Sequence, residues 1–140
     1  MTFTANWANG LASRDYGLIG GEGRCCVSEC LFCRIVQGSI PAKIIYQDEH
    51  TLAFDDINPQ APIHSLIIPK RHLGSVHELT ESDQALLGRI LLTCNTVARD
   101  KGLSGNGFRL VTNIGRDGGQ TVAHLHFHVM GGRHMGWPPG

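Results

Sequence analysis

The sequence predicts an α+β domain in which one short and one long helix pack on one face of an antiparallel sheet of about five strands. Short apolar runs rich in β-branched and aromatic residues alternate with turn residues between positions 43 and 70. A longer stretch, residues 81–101, repeats apolar residues at the helical period. Two further strand-like runs, "FRLVTNIG" and "HLHFHVM", follow that stretch and complete the predicted sheet.

The chain is expected to be one domain preceded by an arm. Its 140 residues suit one compact domain, which can bury a core without metals or several disulfides. Residues 1–27 mix Gly, Asn, Ser and scattered aromatics with no sustained period, so we expect a flexible N-terminal arm there and the folded domain over residues 28–140. A targeting peptide and an arm that docks on a partner are the alternatives; Asp15 and Glu22 count against a transit peptide.

Charge and cysteine content count against several classes of protein. Lys plus Arg and Asp plus Glu both number 12, so no net cationic field favours nucleic acid or an anionic membrane as a partner. No run reaches the roughly 20 apolar residues that cross a bilayer, and no secretory leader opens the sequence, so we expect a soluble cytoplasmic protein. The cysteines number five, an odd count, and four of them lie within residues 25–33, which favours reduced thiols or a metal site over a disulfide framework.

The first elements are a short helix and three strands. In "CLFCRIVQG", apolar residues at helical spacing between Leu31 and Val36 predict a short amphipathic helix that ends at Gly38. The runs "KIIYQD", "TLAFDDI" and "SLIIPK" are bounded by turn residues and predict three successive antiparallel strands.

The long helix has recognisable ends. Thr80 and Asp83 have the spacing of a capping box, in which the acid reaches back to the cap, so we expect the helix to begin at residue 81. Gly102 is placed to end it as a C′ glycine. Between these ends one stripe is apolar: Leu86, Leu87, Ile90, Leu91, Cys94, Val97 and Ala98.

Three histidines alternate with apolar residues in "HLHFHVM". Because strand side chains alternate between faces, His124, His126 and His128 are expected on one surface of a strand whose other face is the core face. A neutral imidazole offers a lone pair near neutral pH that can bind a metal or attack an electrophile. A metal site built from this strand alone is sterically awkward, because alternate side chains stand parallel. An ordinary solvated face is the plain alternative.

The loop before the histidines, "NIGRDGGQT", combines glycines with amide and hydroxyl donors suited to phosphate oxygens. A structural hairpin turn would look much the same, so the loop alone is weak evidence. Its place directly before the triple-histidine run makes the combination more specific.

On these motifs the sequence resembles the histidine triad (HIT) superfamily of nucleotide hydrolases and transferases, whose signature alternates three histidines with apolar residues. The resemblance runs from about Leu31 to Gly140 and implies the HIT fold. "AFDDINPQAP", "IIPKRH", "DGGQTVAHLHFHVMGGR" and the terminal "WPPG" are similar to the Hint branch, the purine nucleoside phosphoramidases. His128 argues against the galactose-1-phosphate uridylyltransferase branch, and the tail "GGRHMGWPPG" argues against the diadenosine polyphosphate hydrolases.

The resemblance implies a mechanism. His126 would attack the α-phosphorus of an adenosine 5′-phosphoramidate and form a nucleotidyl-histidine, which water hydrolyses to AMP. His128 would hydrogen-bond the phosphate and assist the leaving amine. Four residues would hold phosphate oxygens: Asn113, Gly119, Gln120 and Thr121. The alternatives are a dinucleoside polyphosphate hydrolase and a nucleotide-binding regulatory protein with incidental activity.

The resemblance also assigns Asp56 to the ribose hydroxyls and Ile57 to one face of the base, although Asp56 could instead be a plain turn residue. His64 matches a histidine that lies behind the triad and supports it, so it is counted with the catalytic residues; alone it would indicate only a strand start. Thr121 replaces a serine common in the branch, which keeps the hydroxyl. Ala123 stands where an aromatic residue often precedes the triad.

Cys30 and Cys33 have the spacing of half a zinc site. In zinc-bearing HIT relatives such a pair is joined by histidines matching His72 and His124, so the resemblance implies a structural zinc, with no metal required for catalysis. Two reduced cysteines packed against the sheet are the alternative. A redox pair is disfavoured, because no thioredoxin-like βαβ pattern surrounds it.

The resemblance further implies a homodimer formed through the long helix, the sheet edge and the C-terminal tail. Trp137, Pro138 and Pro139 fit such a tail, as an aromatic anchor followed by rigid extended backbone. A disordered tail is the alternative. The expected small-molecule partner is a purine nucleotide, and no nucleic acid or membrane partner is expected.

Overall fold

The computed structural model describes residues 29–140, so the expected N-terminal arm over residues 1–27 lies outside the described residues. The elements of the described part are α1 (Leu31–Val36), β1 (Ile44–Gln47), β2 (Thr51–Asp55), β3 (Ile63–Pro69), α2 (Gln84–Asp100), β4 (Phe108–Val111) and β5 (Phe127–Gly131). Its strands form one antiparallel sheet, which confirms the predicted α+β class with one short and one long helix. Within the same range, no helix combines the length and the apolar character that a membrane span requires.

The strand order places the last strand inside the sheet. The order is β1-β2-β3-β5-β4, so β5 pairs with β3 on one side and with β4 on the other. His128 of β5 lies opposite Leu66 of β3 and Val111 of β4. β5 is therefore an inner strand with a hydrogen-bonded neighbour on each side, while β1 and β4 form the edges of the sheet.

The two helices cover opposite faces of the sheet. Ile67 of β3 packs in one cluster with Ile90 of α2, whereas the preceding residue, Leu66, packs in a second cluster with Phe32 of α1. Because consecutive strand residues point to opposite faces, α1 and α2 lie on opposite sides. The prediction that both helices pack on one face is therefore wrong. The physical reason is that β2 and β3 bury consecutive residues on both faces, so each face needs a cover.

The predicted ends of α2 are found with one change. The Asp83 carboxylate accepts hydrogen bonds from the backbone N–H of Thr80 at 2.9 Å and from its hydroxyl at 3.1 Å, which is the predicted capping contact. The first turn, Glu81–Asp83, is a 3₁₀ turn, so α-helical geometry begins at Gln84 rather than at residue 81. Gly102 follows the helix with φ +76°, as predicted for a C′ glycine.

A carboxylate at the end of β2 ties the end of α2 to the sheet. Asp55 accepts two hydrogen bonds from Lys101 Nζ, at 2.8 and 3.0 Å, and one from the Ser65 hydroxyl at 2.9 Å. Lys43 Nζ lies 2.9 Å from the same carboxylate. Burial alone would raise the pKa of Asp55, but the hydrogen bonds from Lys101, Lys43 and Ser65 outweigh it, and the pKa is lowered. This contact also fixes the start of the loop that carries Asp56.

Asp55→Asn should lower the free energy of unfolding near neutral pH by about 2 kcal/mol, because the lysines lose their charged partner. The lowered pKa sets the sign with pH: the carboxylate stabilises the fold above its ordinary value near 3.8, and this contribution is lost as pH falls through the lower folded-state pKa. Denaturant unfolding as a function of pH should therefore show a steeper acid loss for the wild type than for Asp55→Asn.

The matched control for this measurement is Glu49→Gln. Glu49 is 87% exposed, so its removal should change the free energy of unfolding by less than about 0.5 kcal/mol. Equal acid dependence of the wild type and Asp55→Asn would contradict the role given to the Asp55 carboxylate.

Candidate active site

Four predicted site residues meet where β5 begins. The ring centroids of His126 and His128 lie 5.0 Å apart, and those of His64 and His128 lie 5.1 Å apart. The Asp56 carboxylate is 3.5 Å from His64 Nε2. His128 pairs with Leu66, so His64 lies two residues along the adjacent strand on the same face of the sheet.

The three histidines of the triad do not occupy equivalent positions of one strand. β5 begins at Phe127, so His128 lies in the ladder while His124 and His126 precede it. Nor do the first two lie on an open surface, since His124 is 0% exposed and His126 is 3% exposed. The ring of Phe32 in α1 contacts both imidazoles edge-on, at centroid distances of 5.8 and 5.3 Å. The prediction that all three histidines belong to one strand is therefore wrong, because the strand ladder begins only at Phe127. The alternative of an ordinary solvated face is also excluded for His124 and His126, because α1 packs on them.

The His126 ring has its proton position fixed by one carbonyl. Its Nδ1 lies 2.7 Å from the His124 carbonyl oxygen. A carbonyl can only accept, so Nδ1 carries the proton and the neutral ring keeps its lone pair on Nε2. The His126 carbonyl in turn accepts a hydrogen bond from the Thr112 hydroxyl at 2.9 Å. A neutral imidazole held in this way can act at Nε2 as a nucleophile or a general base.

His64 and His128 form a chain that starts at a backbone amide. The Gln60 N–H donates to His64 Nδ1 at 3.0 Å, which leaves the His64 proton on Nε2. His64 Nε2 lies 2.8 Å from His128 Nδ1, which therefore accepts. His128 then carries its own proton on Nε2, a buried atom without a partner among the described residues. The chain thus ends on a donor that is available to a bound molecule.

Both rings of this chain are neutral near neutral pH. Burial, with smaller effects from His126 and His64, lowers the pKa of His128 to about 4 against the opposing effect of Asp56. Burial also lowers the pKa of His64, and Asp56 again opposes it. Each ring therefore carries one proton, and the tautomers follow from the hydrogen bonds.

The conformation of the glycine-rich loop depends on Gly118 and on the side chain of Gln120. A Cβ added to Gly118 would lie 2.3 Å from the Ile114 carbonyl oxygen, so a larger residue does not fit there. Gln120 Oε1 accepts from the Gly115 N–H at 3.0 Å, and its Nε2 donates to the carbonyls of Gly74 and of a loop residue at 2.6 and 2.9 Å. The Gln120 amide therefore closes the loop and joins it to the segment after β3.

The other predicted phosphate residues belong to the same loop. Asn113 directly follows Thr112, Gly119 has φ +76° in a tight turn, and Thr121 is exposed. Their roles toward phosphate, and that of Gln120, stay predictions.

Asp56 serves a turn and also faces the histidines. Its Oδ1 accepts from the Asn58 N–H at 2.8 Å, as a turn residue does, while Oδ2 approaches His64. The next residue, Ile57, is 99% exposed. An apolar side chain held wholly in water favours an apolar ligand that covers it. The predicted nucleoside contacts of Asp56 and Ile57 stay predictions.

A second group of side chains, the metal-ligand cluster, consists of Cys30, Cys33, His72 and His124. Their Sγ and Nδ1 atoms all lie within 4.8 Å of one another. Sulfur to nitrogen distances are 3.3, 3.4 and 3.6 Å, and the two Nδ1 atoms are 3.3 Å apart. Ordinary zinc bond lengths in a tetrahedron give about 3.6 Å between sulfur and nitrogen and about 3.3 Å between two nitrogens. The donor set and its spacing therefore fit zinc.

His124 is oriented for this cluster. Its Nε2 lies 2.9 Å from the Pro69 carbonyl, so the proton is on Nε2 and the lone pair on Nδ1 faces the cysteines. Burial lowers the pKa of His124 to about 4, which keeps the ring neutral. Because its carbonyl also accepts from His126 Nδ1, His124 connects the cluster to the neighbouring histidine.

The sequence analysis does not identify three groups of the site: the backbone N–H of Gln60, the Pro69 carbonyl and the Phe32 ring. The first two are backbone groups, for which residue type carries no signal. Phe32 lies between the two cysteines, but the pattern there predicts only the apolar face of a short helix.

Fold and site together define the class: an α+β protein with a histidine triad, two of whose members are buried, beside a glycine-rich loop. The chain belongs to the HIT domain family, whose sequence profile matches residues 37–135.

Several known proteins are similar to this chain in sequence or structure. An uncharacterized HIT-like protein of Synechocystis is 51% identical over 112 residues, which cover 80% of this chain and 97% of the relative. The crystal structure of a HIT family hydrolase from Legionella pneumophila is 50% identical with a TM-score of 0.79, over 80% of this chain and 100% of that one. A histidine triad nucleotide-binding protein from Candida albicans is 33% identical with a TM-score of 0.68, over 79% and 83% of the two chains. The predicted superfamily and fold are confirmed.

Proposed function

We propose that this protein is a purine nucleoside phosphoramidase of the Hint type, a hydrolase that cleaves the P–N bond of adenosine 5′-phosphoramidates and related compounds and releases AMP. The observation that carries the proposal is the hydrogen bond from His126 Nδ1 to the His124 carbonyl, which leaves Nε2 as a neutral nucleophile. Two similar solved structures support it by their descriptions, one as a HIT family hydrolase and the other as a histidine triad nucleotide-binding protein.

The chemistry proceeds in two steps. His126 Nε2 attacks the α-phosphorus, the P–N bond to the amine breaks, and a nucleotidyl-histidine forms. The departing nitrogen takes a proton from His128 Nε2, the donor at which the Gln60 to His128 chain ends. His128 is then one proton short and negative, which balances the positive charge that the His126 ring gains when its Nε2 bonds phosphorus, and the two ring centroids lie 5.0 Å apart. Water then attacks the phosphorus and returns a proton to His128, so that AMP leaves and both rings regain their starting protonation. The net reaction consumes one phosphoramidate and one water and gives one amine and AMP.

The glycine-rich loop and the residues after β2 hold the nucleotide. Asn113, Gly119 and Thr121 lie on the loop that would face the phosphate oxygens, and Gln120 keeps that loop closed. Asp56 would bond the ribose hydroxyls, with the exposed Ile57 against the base. Contacts of this kind fix the phosphorus in line with Nε2.

Two other functions use the same residues. A dinucleoside polyphosphate hydrolase would expel a nucleotide instead of an amine, so rates on a phosphoramidate and a diadenosine polyphosphate at equal concentration separate the two. We expect the phosphoramidate to be cleaved faster. The other is a nucleotide-binding regulatory protein, and the name of the Candida albicans neighbour supports nucleotide binding. Such a protein would bind AMP tightly and show negligible turnover.

His126→Ala should lower the rate of amine release from an adenosine phosphoramidate by about 10⁴-fold or more, because the nucleophile is lost. AMP binding should remain within about threefold, since most of the predicted nucleotide contacts are unchanged. His77→Ala is the control, because His77 is exposed and lies outside the site, and it should retain wild-type turnover. Near-normal turnover of His126→Ala would refute the proposed mechanism.

The metal-ligand cluster is proposed to hold a structural zinc. When bound, zinc would supply a tie between α1, the segment after β3 and the residues that precede β5. Cys30 and Cys33 would be ligands as thiolates, and His72 and His124 through their Nδ1 lone pairs. Catalysis would use His126 and His128 without the metal, whose part is to hold His124 and, through its carbonyl, the His126 ring.

Purified wild-type protein should contain about one zinc per chain. His72→Asn should lose this zinc and unfold at lower denaturant, because one of four ligands is removed. His77→Asn, at an exposed histidine of the same segment, should keep both the zinc and the stability. Metal analysis together with unfolding curves checks this, and a wild-type protein that holds no zinc after purification with added zinc would overturn the assignment.

The homodimer is proposed to form across β4 and the outer side of α2. Leu110 of β4 is paired with Val129, whose cluster packs on α2, so Leu110 lies on the α2 face of the sheet edge. Leu110 is 39% exposed, and Leu92 of α2 is 66% exposed. An edge strand flanked by exposed leucines favours association with a second copy. The exposed Trp137 of the tail would add to the same contact.

Leu92→Glu should shift the protein from dimer to monomer in light scattering, because a carboxylate would be buried in the contact. Ile44→Glu is the control, since Ile44 is 49% exposed on the opposite edge strand β1, and it should leave the dimer intact. A monomeric wild type, or dissociation by Ile44→Glu alone, would contradict this interface.

A further inference from the structure

The turn between β2 and β3 is held by the segment that follows β5. Gln60 lies in this turn, and its two backbone groups have different partners. Its N–H donates to His64 Nδ1 at 3.0 Å, and its carbonyl accepts from the guanidinium of Arg133 at 3.1 Å. The backbone of one residue, Gln60, therefore joins Arg133 of the C-terminal segment to the histidine behind the triad.

A second contact fixes the same two segments against each other. Gly132 has φ +87°, and a Cβ placed on it would lie 2.9 Å from the Pro62 side chain. The backbone after β5 thus packs closely on the turn, next to the Arg133 hydrogen bond. β5 carries His128, the last residue in the chain of hydrogen bonds, and the segment after β5 holds Gln60, the first. One continuous stretch of backbone therefore positions both ends of that chain.

We propose that Arg133 is a positioning residue for the reaction: by holding the Gln60 carbonyl, it aims the Gln60 N–H at His64 Nδ1 and so sets the tautomers of His64 and His128. With a donor facing Nδ1, His64 keeps its proton on Nε2 and donates a hydrogen bond from there to His128 Nδ1. His128 therefore presents its Nε2–H to the substrate. The kinetic part of this inference rests on the proposed phosphoramidase function; the tautomer part does not.

Without Arg133 the turn loses one of its two attachments to the C-terminal segment. His64 Nδ1 then loses a fixed donor, and the tautomer with the proton on Nδ1 becomes accessible. In that tautomer His64 Nε2 can only accept, so His128 Nδ1 must donate and His128 Nε2 is left with a lone pair. A lone pair at that atom cannot deliver a proton to the leaving nitrogen.

Arg133→Met removes every side-chain donor, whereas Arg133→Lys keeps a cationic donor group. We expect Arg133→Met to lower kcat by about threefold to tenfold with KM nearly unchanged, since proton delivery acts in the transition state and one hydrogen bond is involved. Arg133→Lys should recover most of kcat. Because Arg133 is exposed, both variants should fold. Arg99→Met is the matched control: the Arg99 side chain is 65% exposed on the last turn of α2 and, among the described residues, bonds the neighbouring Asp100 alone, so kcat should not change.

The deciding readout is the ¹⁵N chemical shift of the His64 ring in histidine-labelled protein. In the wild type, Nδ1 should appear unprotonated and Nε2 protonated, and Arg133→Met should move both shifts toward a mixture of tautomers while Arg133→Lys does not. A His64 spectrum that is the same in the wild type and Arg133→Met overturns the inference, as does a protonated Nδ1 in the wild type. A wild type without phosphoramidase turnover refutes the proposed function alone, and the ring shifts still decide the role of Arg133.

Discussion

The site depends on the hydrogen bond between His126 Nδ1 and the His124 carbonyl. In a regular antiparallel ladder, backbone carbonyls are used by neighbouring strands or face solvent. Here the ladder of β5 begins at Phe127, so the His124 carbonyl is available to a side chain two residues later. The irregular start of the strand therefore makes the three evenly spaced histidines inequivalent. His126 carries its proton on Nδ1, whereas His124 and His128 carry theirs on Nε2, and each ring has different partners.

His124 joins the two parts of the molecule that carry chemistry. Its Nδ1 faces the cysteines, its Nε2 bonds the Pro69 carbonyl, and its own carbonyl orients His126. The same helix that supplies Cys33 places Phe32 edge-on against His124 and His126. A change in the metal-ligand cluster would thus alter the position of His126, the candidate nucleophile, directly through His124 and the Phe32 ring.

The sequence predicts those features that depend on local residue order. The capping contact between Thr80 and Asp83, the C′ role of Gly102 and the five strands follow from patterns within a few residues, and they are found. Which face of the sheet α1 covers does not follow, because β2 and β3 are apolar on both faces and the alternation of "HLHFHVM" does not tell an exposed histidine face from a covered one. The backbone N–H of Gln60 reaches His64 Nδ1 only because the turn folds, so the residue type at position 60 does not predict this hydrogen bond.

The central claim is that His126 Nε2 forms a covalent bond to phosphorus. Mass spectrometry of the wild-type protein, quenched at high pH during turnover of an adenosine phosphoramidate, tests it most directly. The account predicts an adenylyl group on the peptide that contains His126, attached to its ring nitrogen and lost in acid. Turnover with no such adduct under conditions that preserve the phosphorus–nitrogen bond, or an adduct on another residue, would contradict it.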